Sequence, residues 1–355
     1  MEHVGIDVGS RYSQICVRTG NGEIVYEKKV RTTDLPAWFF QQKPSRVVME
    51  TCAEAFLLAD HASEAKHDPI VVPSTLSRQL GVGQRRLKND TRDGRALSAA
   101  STRVENLPRV HVPTRASREM KELCGNRDTA VRMRTKLVNR VRGTLRSLLM
   151  HVKCTPATLP AKVRDALQTH PTKLMMLEPL LATLEALNVQ IRELDKLVKE
   201  TAKKHPVCRQ LMTIPGVGPI TSLRFVAAID DPRRFKDGTK VASYVGLTPG
   251  EDTTGYKRKT TRITKAGDSQ LRWTLVQAAW CLWRRRQGDR QVRWAKKLAE
   301  RSSTQSAVVA LARKLCVMMH AMWKNGSTYD PQRDAQTQDM EEEDVRAQLT
   351  EALRD

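Results

Sequence analysis

The opening thirty residues constrain the fold most, because they alternate short β-type runs with glycine turns and set a carboxylate in the first run. His3–Val8, Ser13–Arg18 and Glu23–Val30 are strand-like. Gly9-Ser10-Arg11 separates the first pair, and Gly20-Asn21-Gly22 marks a hairpin between the second. Asp7 is read as centred in the first strand, within Val4-Gly5-Ile6-Asp7-Val8-Gly9. A carboxylate among Val and Ile is costly to bury unless something pairs with it, so its presence there asks for a chemical reason.

Residues 31–100 continue with the rhythm of an α/β domain. Leu35–Gln42 reads as a short helix, Arg46–Glu50 as a strand, Ala53–Lys66 as a helix and Pro69–Val72 as a strand. A further helix is expected to begin near Asn89. Three hairpin strands followed by strand, helix, strand and helix is the element order of an RNase H-like fold. Glu50 ends its apolar run and would project from the carboxyl end of a parallel-type strand, where α/β sites form. Asp90 and Asp93 stand three apart at the start of a helix and share a face. Four such carboxylates make an all-oxygen site suited to Mg²⁺ or Mn²⁺ and to phosphodiester cleavage. Taken singly they have plainer readings: Asp90 as a helix N-cap and Asp93 as a first-turn dipole partner.

From Ser117 to Lys204 long amphipathic helices are expected. Val131, Leu137, Val138, Val141, Leu145, Leu148 and Leu149 form one apolar stripe. After a break at Pro156–Pro171, Leu177, Leu181, Leu184, Ile191 and Leu194 belong to a second, fit for a coiled coil between chains or a hairpin within one. A third region runs from His205 to about Lys324, and an acidic polar tail comes after it. The division expected is 1–115, an α/β catalytic domain; 116–204, a helical spacer; 205–325, a mainly α domain; and 326–355, the tail.

Two segments of the third region suit a phosphate backbone. Thr213-Ile214-Pro215-Gly216-Val217-Gly218-Pro219 looks like a helix-hairpin-helix turn, with Gly216 and Gly218 permitting bare backbone N–H groups and Pro219 opening the next helix. The stretch after Thr253-Thr254-Gly255 reads as a loop of cations and hydroxyls: Lys257, Arg258, Lys259, Arg262, Lys265 and Arg272. Trp273, Trp280 and Trp283 read as core positions and not as base-stacking platforms.

Charge agrees with a polyanionic partner. The 355 residues carry 61 Lys+Arg against 39 Asp+Glu, a net charge of +22, which makes nucleic acid the first partner to consider. No apolar run of roughly 18 residues and no signal peptide stands out, so a cytoplasmic chain without a membrane is expected. The seven scattered cysteines make no Cys-x-x-Cys pair and read as reduced thiols, without zinc. Sugar kinases and actin-like ATPases open with a similar Asp-x-Gly-Ser turn. They would need a second glycine-rich phosphate loop, which the sequence lacks, and they sit poorly with this charge.

Together these motifs resemble a known family, the DEDD transposases of bacterial insertion sequences (the IS-one-ten type), related to pilin-gene invertases and RNA-guided bridge recombinases. The resemblance extends to about Trp323. It is carried by Gly5-Ile6-Asp7-Val8-Gly9, Met49-Glu50-Thr51-Cys52 and Lys88-Asn89-Asp90-Thr91-Arg92-Asp93 with Ala96-Leu97. Downstream it rests on Ile214–Pro219, Gly246-Leu247-Thr248-Pro249 and Ile263-Thr264-Lys265-Ala266-Gly267-Asp268. It implies that Asp7, Glu50, Asp90 and Asp93 are the metal ligands of a RuvC-like domain, followed by a coiled-coil spacer and a transposase domain with a nucleophilic Ser. It further implies covalent capture of cut DNA at element ends and target, a homodimer or tetramer, and a structured guide RNA from the element, in a bacterial cytoplasm where the protein joins the nucleoid through DNA. The chain departs from the pattern at the nucleophile: Thr254 precedes Gly255 where the family has Ser, with Thr253 beside it and Ser243 and Ser269 fitting the motif less well. The competing readings are a RuvC-like nuclease or resolvase that uses water, and an inactive nucleic-acid-binding remnant.

Overall fold

A computed structural model describes residues 1–75, 90–254 and 257–329, with backbone alone for 90, 91, 251–254 and 257–260. The chain forms two compact units, Met1–Thr114 and the remainder from Arg115.

The first unit is built on a mixed five-stranded sheet. Its strands are β1 (His3–Asp7), β2 (Tyr12–Arg18), β3 (Ile24–Arg31), β4 (Arg46–Glu50) and β5 (Asp68–Val72), in the order β3-β2-β1-β4-β5. β1, β2 and β3 pair antiparallel, whereas β4 and β5 run parallel to β1. Helices α1 (Leu35–Gln41) and α2 (Ala55–Glu64) cover one face, packing Trp38, Phe39, Leu58 and Ala62 against Val4, Ile6, Val47, Met49 and Val71. Helix α3 (Asp90–Arg103) covers the other, where Leu97 and Ala100 meet Val48, Ile70 and Val72. Because both faces are covered, the three successive central residues of β4, Val47, Val48 and Met49, are all buried and read as a continuous apolar run. β3, at the edge, is exposed and carries Glu27, Lys28 and Lys29, charges that blunt pairing with another sheet.

The element order expected from the sequence is the order found. One placement differs: Asp7 closes β1 and is not centred in a longer strand, because the chain turns sharply at Val8–Arg11 to start β2.

The second unit is mostly helical. Helix α4 (Arg115–Ser147) packs against α6 (Pro171–Lys204), with the short α5 (Leu159–Ala166) between them in the chain. Val138, Val141 and Leu145 meet Leu177, Leu181 and Leu184, with Leu159 and Val163 filling in, so the two leucine-rich stripes find each other within one chain. Arg164 clamps α5 to α6 through Glu178 and Glu185. Helices α7 (Pro206–Leu211), α8 (Pro219–Ile229), α9 (Gly238–Val245), α10 (Ser269–Arg285), α11 (Arg290–Arg301) and α12 (Thr304–Asn325) build the larger core, joined by α4 through Met120 and Cys124.

Among the described residues two helices, α6 and α12, are long and apolar enough to cross a membrane by length and composition, contrary to the expectation that no such run exists. Their apolar positions have work inside the fold: Leu311, Leu315 and Met319 of α12 lie in the main core, and Leu177, Leu181 and Leu184 of α6 lie against α4.

Candidate functional site

Register places the first two carboxylates together. The parallel ladder of β1 and β4 ends at Ile6 opposite Met49. Asp7 and Glu50 follow at the next step, both half-buried, at the carboxyl ends of strands that lie about 4.8 Å apart. The turn beyond Asp7 is pinned by the Thr32 hydroxyl, which donates to the Gly9 carbonyl at 2.6 Å. The chain beyond Glu50 is pinned by Thr51, whose N–H and hydroxyl both donate to the Val72 carbonyl, at 2.9 and 2.7 Å. Both strand ends are therefore held by threonine hydroxyls that donate to backbone carbonyls.

The third carboxylate arrives on α3, which approaches β1 unusually closely. A Cβ on Gly5 would stand 2.3 Å from the Gly94 carbonyl oxygen and 2.4 Å from the Ser98 nitrogen, so only glycine permits this approach. The part of α3 over β1 and β2 is correspondingly small: Gly94, Ser98 and Ser101 recur at helical spacing. Ser98 accepts from Arg18 Nε at 3.0 Å, and Ser101 bonds His3 Nδ1 at 2.8 Å. Arg95 adds a two-pronged bond to Glu27 on β3, which holds the Glu27 carboxyl below its ordinary range. Asp93 precedes this anchored stretch and is only 6% exposed, which excludes a solvated helix-face acid.

Asp90 opens α3, one turn before Asp93, but its side chain lies outside the described residues. Among the described residues no three acidic, His or Cys side chains close on one ion-sized point. The donor set nevertheless fits a hard dication, since Asp7, Glu50 and Asp93 offer carboxylate oxygens only.

In the second unit the expected loop after Pro249 is a β-hairpin. β6 (Pro249–Thr254) pairs with β7 (Lys257–Ile263), bringing Thr254 opposite Lys257, Thr253 opposite Arg258 and Asp252 opposite Lys259. The side chains of these six residues are outside the described set, as are Gly255 and Tyr256. The base of the hairpin is clamped by backbone contact between two motifs. Gly246 caps α9 with φ +75°, and a Cβ there would meet the Ala266 oxygen at 2.3 Å. Asp268 caps α10 by accepting from Gln270 and Leu271, at 2.8 and 3.1 Å. Arg262 and Lys265 are exposed. Arg272 is committed elsewhere, its Nη1 donating at 2.8 Å to both the Val245 and Ala266 carbonyls.

The Thr213–Pro219 segment lies between the ends of α7 and α8, with Gly218 as N-cap and Pro219 at the first helical position. Gly216 has φ +90° and lies against α10, where a Cβ would stand 2.7 Å from the Ala278 oxygen. Trp280 and Trp283 pack against the core, but Trp273 is 59% exposed and is not the core residue its spacing suggested.

Comparison with known proteins meets this geometry at both ends of the chain. A transposase model of the DEDD IS110 type matches residues 4–150, and a model described as the transposase IS116/IS110/IS902 family matches residues 208–295. The chain belongs to the IS110 family of transposases. Membership makes it a DNA-cutting and rejoining enzyme that binds DNA. Relatives include the transposase for insertion sequence element IS1111A of Coxiella burnetii, 26% identical over 92% of this chain and 90% of its own length. The transposase for insertion sequence element IS1328 of Yersinia enterocolitica is 26% identical over 92% of this chain and 98% of its own.

Within this IS110-type frame, sequence reasoning missed Gly94. Its signal was present, a glycine inside a helical run.

Proposed function

We propose that this transposase cuts and rejoins DNA at an RNase H-like (RuvC-like) carboxylate site formed by Asp7, Glu50, Asp90 and Asp93, with the Thr254 hydroxyl as nucleophile. The observation that carries the reading is the adjacent placement of Asp7 and Glu50 at parallel strand ends, beneath a glycine-docked helix that begins with Asp90 and carries a buried Asp93. A donor set made of carboxylate oxygens alone suits a hard divalent cation.

Mg²⁺ or Mn²⁺, when bound, supplies Lewis-acid polarisation of the scissile phosphate. The remaining work belongs to the chain. The backbone of Asp7 and Glu50 is held by the sheet and that of Asp93 by the docking of α3. Thr254 lies at the end of β6, opposite Lys257, where Lys257, Arg258 and Lys259 are suited to gripping backbone phosphates beside the hydroxyl. Attack by Thr254 forms a Thr–O–P bond and releases a sugar hydroxyl. Attack by the hydroxyl of a second strand reverses that bond and rejoins DNA. The extra methyl of threonine crowds in-line attack relative to serine. Gly216 and Gly218, with Arg262 and Lys265, extend the backbone-binding surface.

The functional division proposed is 1–115 for metal chemistry, 116–204 as a helical spacer with coiled-coil character, 205–325 for the nucleophile and DNA, and 326–355 as an acidic tail. The chain acts in the cytoplasm as a dimer or tetramer, with an element-encoded RNA choosing its sites. The test is a protease-sensitive DNA adduct, mapped by mass spectrometry to the peptide containing Thr254. An adduct on Thr253 or Ser243 would reassign the nucleophile, and free ends with no adduct would indicate a water-using nuclease.

A further inference from the structure

Between Arg284 and Arg301, eight of eighteen residues are Lys or Arg, against two acids, Asp289 and Glu300. The segment is the corner where α10 ends and α11 begins. Helix α11 is sharply two-faced: Gln291, Val292 and Ala295 are buried, while Arg293, Lys297 and Arg301 recur every four residues on the opposite side and are exposed. Three cations at that spacing form a straight row about 12 Å long. No described carboxylate pairs with any of them.

The row continues into a cleft of about 520 Å³ lined by Arg285, Arg286, Gly288, Thr213, Pro215 and Tyr329. The cleft is built, not incidental. The Tyr329 hydroxyl donates to Asp289 Oδ2 at 2.7 Å, and the Tyr329 N–H donates to Thr213 Oγ1 at 3.0 Å. Asp289 also caps α11 by accepting from Gln291 at 2.9 Å. Asp289 is thus occupied in holding the cleft together, and Arg285 and Arg286 remain exposed to solvent beside the Thr213–Pro219 turn.

We infer that the α10–α11 corner is a second nucleic-acid surface, separate from the β6–β7 hairpin, and that it takes the sugar-phosphate backbone of duplex DNA. Charge and shape select a polyanion of regular spacing, since one strand presents a phosphate about every 3.4 Å along the duplex axis and a row of about 12 Å spans three to four of them. Single strands are disfavoured because they need open aromatic platforms. Here the rings are covered: Lys314 Nζ sits 3.8 Å over Trp294, and Trp280 lies under Arg284 and edge-on to Trp283. The exposed Trp273 stands about three turns away along α10. The inference rests on the family's action on DNA but not on the carboxylate chemistry.

The test measures binding of full-length protein to a labelled duplex of arbitrary sequence across a salt series, in EDTA, so that loss of catalysis cannot affect it. Three variants are compared: Arg293→Gln/Lys297→Gln/Arg301→Gln, Arg285→Gln/Arg286→Gln, and the control Arg132→Gln/Lys136→Gln/Arg140→Gln. The control removes an equally spaced, exposed row from α4. Removing one cation–phosphate interaction should lower the slope of log affinity against log salt by about 0.9. The slope should therefore fall by about two to three in the first variant, about one to two in the second, and less than one in the control. Equal falls in all three would reduce the effect to net charge and overturn the site. So would an unchanged slope, or weakened binding to duplex RNA with duplex DNA unaffected. Circular dichroism shows whether each variant is folded, and the arginine pair, which lies at the end of α10, tests the site even if the α11 variant unfolds.

Discussion

Gly5 in β1 and Gly94 in α3 meet backbone to backbone, so closely that a Cβ on Gly5 would stand 2.3 Å from the Gly94 oxygen. That approach sets the height of α3 above the sheet and, one residue before Gly94, the position of Asp93. Gly5→Ala should therefore push the helix outward, at a cost of about 1–3 kcal/mol by the measure of overpacked cores. Gly94→Ala meets its nearest neighbour, the Gln14 oxygen, at 3.3 Å and should cost less. Urea midpoints of the two variants test the order, and metal-dependent cleavage should fall further for Gly5→Ala than its stability loss explains.

The Glu27–Arg95 bridge fastens the same helix to β3. The bond to Arg95 lowers the Glu27 pKa in the folded state. Its stabilisation is thus present above the unfolded carboxyl pKa and is lost as pH falls through the folded value. Glu27→Gln should destabilise the protein near neutral pH, and the difference from wild type should shrink through the acid range below the ordinary glutamate value. A gap in urea midpoint that stays constant from neutral to strongly acidic pH would contradict the ion pair.

In the second unit, Arg224 of α8 is buried and paired with Asp128 of α4, itself 13% exposed. Asp128→Asn leaves a guanidinium in the core without its counter-charge. Breaking such a pair costs about 3–5 kcal/mol. A double change, Asp128→Leu with Arg224→Met, should recover much of that loss in thermal or urea unfolding. A single variant as stable as wild type would show that the pair adds nothing.

The threonine nucleophile makes its own prediction. Thr254→Ser removes only the methyl and should raise the rate of adduct formation, while Thr254→Ala should abolish the adduct and leave DNA affinity within about twofold, a change of roughly 0.4 kcal/mol. Quench-flow or timed-gel measurement of adduct yield decides between this and a structural role for the side chain.

Much of the first unit is legible in the sequence because its signals are local. A glycine-bounded apolar run with an acid, and a second apolar run ending in Glu50, specify strand ends directly. Their adjacency follows once β4 runs parallel to β1. The features that cannot be read are long-range: the Gly5–Gly94 approach joins residues 89 apart, and the clamp of Gly246 against Ala266 joins two motifs across the hairpin. The hairpin itself reads as a loop because β6 and β7 carry Thr, Lys, Arg and acids in place of alternating apolar residues. Asp7 reads as deeper in its strand than it lies, because Val8 extends the apolar run past the point where the backbone turns. Trp273 matches a core spacing but lies on the outer side of α10. The basic corner at Arg284–Arg301 is visible as a charge run, but only the structure shows that Arg293, Lys297 and Arg301 form one exposed row leading to a built cleft.

The carboxylate site stands or falls on cleavage of element-end DNA by wild type, Asp7→Ala and Glu50→Gln, in Mg²⁺ or EDTA. The candidate guide RNA is present, and products are resolved on a denaturing gel before and after protease. Wild type should give Mg²⁺-dependent, protease-sensitive products, and both variants should lose at least about a hundredfold in rate, near 2.7 kcal/mol of barrier. Undiminished cleavage by folded Asp7→Ala, or full activity in EDTA, would contradict a metal-binding role for these carboxylates.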